Sequence, residues 1–221
     1  MKTYGQYCAV ARSLDLVGDR WVLLIVRELL SQGPCRFTDL RDGLPGIATN
    51  LLASRLREME ENGLIARVEA PPPIATGLYQ LTERGQELRP VIEALVEWGL
   101  PTMPIVSEGE SVRGNWLAML GQLRLRDTEP ERGPLIIAID TAEAPAQLVS
   151  RGAEFELRRG RPPAADIRLS GQARLIGGFL AGFLTLDEAR LLGLDADGDA
   201  EAFRRLAISA PASPPVREKQ P

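Results

Sequence analysis

The turn Gly43-Leu44-Pro45-Gly46 constrains this chain more than any other stretch, because it lies between two segments that each read as a helix. Glycine and proline together mark turns, so the helical pattern from Phe37 to Asp42 and the one from about Thr49 to Asn62 belong to separate elements. Gly63 stops the second, since glycine takes the left-handed conformation at a helix end at little steric cost. Two further helices precede the turn. Tyr7 to Val17 spaces Cys8, Ala11, Leu14 and Val17 at helical intervals up to Gly18. Trp21 to Leu30 carries Trp21, Leu24, Ile25, Glu28 and Leu29 as a largely apolar stripe that ends at Gly33-Pro34.

After Gly63 the period changes from helical to alternating. Leu64 to Glu69 and Leu78 to Leu81 read as strands, joined by Ala70-Pro71-Pro72-Pro73-Ile74-Ala75-Thr76-Gly77 as a hairpin with a proline-stiffened tip. Thr82 then caps a last helix running to about Trp98, with Leu88, Val91, Ile92, Leu95 and Val96 along one side. Helix, short helix, turn, longer helix and two-stranded wing form the order of a winged helix-turn-helix, mainly α, whose second motif helix enters the DNA major groove.

The helix from Thr49 separates two kinds of surface. Leu52, Leu56 and Met59 form its packing side, while Asn50, Ala53, Ser54 and Arg57 gather on another. Arg57 suits a guanine edge or a phosphate, Asn50 a bidentate pair with adenine, and Thr49 and Ser54 either bases or backbone. The small Ala53 lets the backbone approach the groove. Arg36 and Thr38, near the start of the preceding helix, are phosphate candidates. On the plainer alternative, Arg55 and Arg57 are solvated partners of Glu58, Glu60 and Glu61 on an ordinary helix.

These residues carry a family resemblance. Cys8 to Gly99 resembles the HxlR-type winged helix regulators, relatives of the MarR group, through Leu14-Asp15-Leu16-Val17-Gly18-Asp19-Arg20-Trp21, Arg36-Phe37-Thr38-Asp39-Leu40, Leu44-Pro45-Gly46-Ile47 and Leu52-Ala53-Ser54-Arg55-Leu56-Arg57-Glu58-Met59-Glu60. The match continues through Asn62-Gly63-Leu64-Ile65, the three wing prolines and Tyr79-Gln80-Leu81-Thr82-Glu83-Arg84-Gly85. It implies double-stranded operator DNA as partner, repression as the default, and a homodimer joined around Tyr4 to Leu14 and Leu88 to Trp98. The chain departs from the family pattern twice. Ala48 stands where the family has a capping serine, which shifts the expected cap to Thr49, and the wing tip has Ile74, Ala75, Thr76 and Gly77 where an arginine is expected. Cys8 falls where some members carry a redox-sensing cysteine. The alternative is a small hydrophobe on the apolar side of its helix, with Arg12 as the one nearby cation.

Composition narrows the chemistry. The 221 residues include no histidine and two cysteines, Cys8 and Cys35, which excludes histidine bases, histidine-ligated metals and a four-ligand zinc site. With no P-loop, nucleophile elbow or dinucleotide fingerprint either, an enzyme is not expected, nor any cofactor. A net charge of −4 argues against nonspecific coating of nucleic acid and leaves room for a local basic face. No stretch reaches the ~18 uncharged apolar residues of a membrane span and no signal peptide is evident, so a cytoplasmic protein is expected.

Gly99, Pro101, Pro104, Gly109 and Gly114 divide the chain into a DNA-binding and dimerisation domain over residues 1–100, a linker over 101–114, an α+β domain over 115–209 and a disordered tail over 210–221. In the second domain Trp116 to Leu125 reads as a helix. Leu135 to Asp140, Ala153 to Arg159 and Ala165 to Ser170 read as strands, and Ala173 to Phe183, Leu186 to Leu192 and Ala200 to Ala207 as helices. This half resembles the sterol-carrier-protein-2-like domains through Ala165-Asp166-Ile167-Arg168-Leu169-Ser170-Gly171, Gly182-Phe183-Leu184-Thr185-Leu186-Asp187-Glu188-Ala189 and Leu194-Asp195-Ala196-Asp197-Gly198-Asp199. The resemblance implies an apolar small-molecule effector held between sheet and helices, with Trp116, Phe155, Phe179, Phe183 and Leu184 as pocket candidates. The same side chains equally suit a filled core, and Gly177, Gly178 and Gly182 suit either close packing or room for a ligand. Two functions follow: a regulator modulated by such an effector, or an apolar-ligand carrier whose winged helix is a dimerisation scaffold.

Overall fold

The computed structural model describes residues 3–69, 77–103 and 110–209. Two compact units divide the chain, Met1–Ile92 and Glu93–Pro221. The wing tip at 70–76, part of the expected linker at 104–109 and the expected tail at 210–221 lie outside the described residues.

In the first unit, helices α1 (Ala9–Val17), α2 (Val22–Gln32), α3 (Phe37–Asp42) and α4 (Thr49–Glu61) are followed by strands β1 (Ile65–Glu69) and β2 (Gly77–Leu81). The stripe read on α2 faces the core only in part: Ile25 and Leu29 are buried together with Val26, whereas Leu24 is exposed and Trp21 half-buried; Leu40 of α3 and Leu52, Leu56 and Met59 of α4 are buried as well. Helix α4 ends as its glycine predicts. Gly63 has φ +67, the Leu64 amide reaches the Met59 carbonyl at 2.9 Å and the Gly63 amide reaches Glu60 at 3.0 Å, which turns the chain directly into β1. The wing strands pair antiparallel from Ile65 opposite Leu81 to Glu69 opposite Gly77, and Cys35 adds a bridge to Tyr79.

The helix expected from Thr82 to Trp98 is two helices, α5 (Glu83–Gln86) and α6 (Arg89–Gly99). Pro90 explains the break, because it has no amide to donate and its ring would strike the carbonyl four residues back, at Gln86. Thr82 does cap α5, its Oγ1 accepting from the Gly85 amide at 3.1 Å. The first helix begins at Ala9 and not at Tyr7, since Cys8 is extended with φ −144.

The second unit is α+β. Strands β3 (Leu125–Asp127), β4 (Ile136–Asp140), β5 (Ala146–Arg151), β6 (Glu154–Arg159), β7 (Ile167–Ser170), β8 (Asp195–Gly198) and β9 (Leu206–Ile208) accompany helices α7 (Gly114–Arg124), α8 (Ala173–Leu180), α9 (Leu186–Leu191) and α10 (Ala200–Arg204). Five strands form one sheet in the order β6-β5-β4-β7-β8, antiparallel except for the parallel pair β4 and β7, while β3 pairs with β9. Ile137, Ile139, Leu148, Phe155, Ile167 and Leu169 share a core with Leu117 and Leu120 of α7 and Ile176 and Phe179 of α8. Gly121 permits the close approach of α7: a Cβ there would lie 2.6 Å from Leu148 Cδ1. The division between the units falls inside α6, ahead of the boundary expected at residue 100, because Val96 and Leu100 pack with this second core.

Several strands here were not read as strands from the sequence. Asp195–Gly198 has no apolar alternation and is a strand only because it pairs with the edge of β7. Ala146–Arg151 lies between two strands as the middle of a meander. Leu206 and Ala207, expected to end a helix, belong to β9, which pairs antiparallel with β3, where Leu125 faces Ile208.

Candidate nucleic-acid interface

Helix α4 presents Asn50, Ala53, Ser54 and Arg57 at spacings of three, four and seven residues, so they share one face. Asn50 and Arg57 are exposed, and Ala53 and Ser54 half-buried. Among the described residues the Arg57 guanidinium makes only a long contact with its own helix, Nε donating to the Ala53 carbonyl at 3.4 Å. Ser54 Oγ donates to Glu58 Oε1 at 2.9 Å. Arg55 follows the ordinary helix reading, paired with Glu58 and with Asp19 at 2.9 Å. Burial opposes the charge on Glu58, but the hydrogen bonds from Ser54 and Arg55 prevail and hold its carboxyl below the usual range.

The start of α4 differs from expectation. Ala48 remains the N-cap, extended at φ −71 and ψ 138, with no side-chain cap, and Thr49 is the first helical residue. A side chain caps from the residue that is still extended, so Thr49, already helical, does not replace the missing serine. Arg36 and Thr38 are both exposed, at the cap and first turn of α3. Asp39 fixes that turn by accepting the Arg36 amide at 3.0 Å. Arg27 holds α2 to the following turn, donating to the Gly43 carbonyl at 3.3 Å and pairing with the buried Glu28 at 2.7 Å.

The wing tip, with the expected arginine missing at Ile74 to Thr76, lies outside the described residues. Reading the tip alone overlooked Arg67, exposed on β1 and 5.9 Å over the Tyr79 ring. Strand alternation carried the signal, since Arg67 and Glu69 are the outward positions of β1.

Cys8 is exposed just ahead of α1, not on the apolar side of that helix. In the second unit Phe155 and Phe179 are core residues at 3% exposure, Phe183 and Leu184 pack partly buried against that core, and Trp116 is half-buried. Close packing explains two of the glycines. A Cβ on Gly178 would lie 3.0 Å from Leu184 Cδ1, and one on Gly177 3.4 Å from Leu117 Cδ2. Gly182, at φ +77, turns the chain after α8.

Comparison with known proteins agrees with the first unit. The HxlR-like helix-turn-helix family matches residues 16–105. The HTH-type transcriptional regulator sll1512 of Synechocystis sp. is 39% identical over 98 residues, which are 43% of this chain and 70% of that protein. The chain belongs to the HxlR-like family. The HTH-type transcriptional regulator BH0655 of Halalkalibacterium halodurans is 35% identical over 88 residues, 40% of this chain and 78% of the relative. Among solved structures, the redox regulator HypR in its reduced form is 30% identical, covers 42% of this chain and 91% of its own, and has a TM-score of 0.39. HxlR-like proteins are DNA-binding transcriptional regulators and not enzymes. Among the described residues, no helix of this HxlR-like chain is long and apolar enough to cross a membrane.

Proposed function

We propose that this HxlR-like protein is a repressor that reads a two-fold operator as a homodimer, with α4 in the major groove. The observation that carries the reading is the α4 face, where Asn50 and Arg57 stand exposed with Ala53 and Ser54 between them and, among the described residues, neither Asn50 nor Arg57 is engaged by another element. Arg36 and Thr38 contact phosphates, and Arg67 takes the part of the missing arginine at the wing tip. A dimer accounts for a second observation. Val10 and Leu14 on the first helix, with Tyr7 just ahead of it, expose apolar side chains, and Val91, Leu95 and Trp98 do so along α6. Exposed apolar groups of that kind mark interaction surfaces.

Regulatory input has two candidates. Cys8 is accessible to an oxidant, and the second unit, which resembles a sterol-carrier-protein-2-like domain, takes an apolar effector beside the half-buried Trp116, Phe183 and Leu184. Mild peroxide followed by mass spectrometry and DNA titration tests Cys8: a thiol that stays free removes it from the mechanism. Footprinting on the chain's own upstream region tests the central reading. It expects a protected site with two-fold symmetry and half-sites about 10 base pairs apart or a multiple of that. Uniform protection along the duplex would reject it.

A further inference from the structure

The two glycines of the turn ahead of α4 are there for different reasons. Gly46 has φ +84 and open space where a side chain would stand, so the backbone conformation itself asks for glycine. Gly43 has φ −76 and ψ −3, a conformation open to other residues. Its neighbour is what excludes a side chain: a Cβ on Gly43 would lie 2.8 Å from Glu28 Cδ and closer still to Oε2.

Glu28 is not free to swing aside. Its side chain is fully buried, and its carboxylate accepts from Arg27 Nε at 3.0 Å through Oε1 and from Gln32 Nε2 through Oε2. Arg27 reaches on to the turn, its Nη2 donating to the Gly43 carbonyl at 3.3 Å. Helix α2 therefore holds Gly43 at two points, by contact at its Cα and by a hydrogen bond at its carbonyl. Just beyond, Leu44 and Ile47 are buried, and their amides reach the carbonyls of Arg41 at 3.2 Å and Leu44 at 3.1 Å. A buried ion pair adds little net stability, because desolvation offsets most of its attraction, and its better-attested use is to select one geometry.

That geometry bears on α4. Ala48 caps the helix without a side-chain bond, so the placement of the first turn, Asn50 included, depends on the chain that leads into it. Bidentate contacts to base edges tolerate little displacement. We propose that Arg27 and Glu28 are positioning residues for sequence reading: they seat the turn at 43–47 on α2 and so set where Asn50 meets a base, with the buried Glu28 itself out of reach of DNA. This role rests on the reading of DNA by α4, whereas the seat of the turn does not.

Amide hydrogen exchange of the full chain tests the seat without DNA. Two variants disturb it differently: Gly43→Ala adds a methyl group against the carboxylate, and Glu28→Gln keeps the shape and removes the charge. In both, the Leu44 and Ile47 amides are expected to exchange about tenfold faster than in wild type, while those of Ile25 and Leu29 in α2 keep their rates. Turn rates that stay as in wild type, or that rise only in step with α2, overturn the seat, since a pair serving overall stability alone affects both regions together.

Fluorescence anisotropy well below each unfolding midpoint then tests the effect on reading. Each variant is expected to bind the upstream duplex about fivefold or more weakly and a scrambled duplex as wild type does, with the slope of log affinity against log salt unchanged because no phosphate contact is lost. The double variant should lose less than the product of the two single losses, since both act through one contact. An unchanged preference for the upstream duplex in variants whose turn exchanges faster overturns the positioning role, as does an equal loss on both duplexes. A wild type indifferent to sequence removes the reading by α4, and the positioning role with it, but leaves the seat standing on the exchange result.

Discussion

Asp127 and Arg205 show how much one pair of side chains decides in the second unit. Arg205 donates to both carboxylate oxygens, at 3.1 and 2.6 Å, and to the Gly133 carbonyl at 2.7 Å, with the Asp127 side chain fully buried. Removing one partner strands a buried charge, so Arg205→Ala is expected to lower unfolding free energy by about 3 to 5 kcal/mol in a urea titration. Burial opposes the charge on Asp127, but hydrogen bonds from Arg205, the Glu129 amide and Ser150 prevail and hold the carboxyl below the usual range. A carboxylate depressed in the folded state contributes stability that is complete above its unfolded value, about pH 4, and lost as pH falls through the folded one. Denaturation midpoints measured from pH 6 down to pH 2 should therefore fall more steeply for the wild type than for Asp127→Asn. Sequence reading could not pair these two residues, because they lie 78 positions apart and only the β3 and β9 pairing brings them together. The α4 face was legible, because side-chain direction along one helix follows from spacing alone.

At the level of the element, α4 has a weak start and a strong finish. Its end is fixed by Gly63, whereas its beginning at Ala48 has the extended backbone of a cap without a capping side chain. Ala48→Ser should therefore stabilise the protein by about 1 kcal/mol, seen as a higher midpoint in thermal unfolding, and a lower midpoint would contradict the geometry assigned to this turn. Helices with an apolar stripe and a glycine stop were readable to within about two residues, a usual margin for helix ends. Elements defined by a neighbour were not. Strand β8 has the sequence Asp-Ala-Asp-Gly, and its identity comes from pairing with β7. Pro90 was readable and overlooked, its effect hidden by the continuous apolar pattern from Leu88 to Val96.

For the whole molecule, the exposed apolar side chains on the first helix and α6 are where the proposed second copy would pack. Val10, at 67% exposure, contributes nothing to its own core, so Val10→Asp should leave the fold intact and shift sedimentation from dimer to monomer. DNA affinity should fall with it, because a monomer reads only half of a two-fold site. The winged helix was visible in the sequence because local signals occur in a fixed order, whereas whether the second unit has room for the proposed effector depends on packing, which spacing along the chain does not reveal. The central claim, that α4 reads DNA, is tested most directly by fluorescence anisotropy on the upstream duplex and a scrambled one, with wild type beside Arg57→Ala. The account predicts that wild type prefers the upstream duplex and that Arg57→Ala costs about 1 to 3 kcal/mol of that binding with its folding unchanged. Equal affinity of wild type for both duplexes, untouched by the substitution, would contradict it.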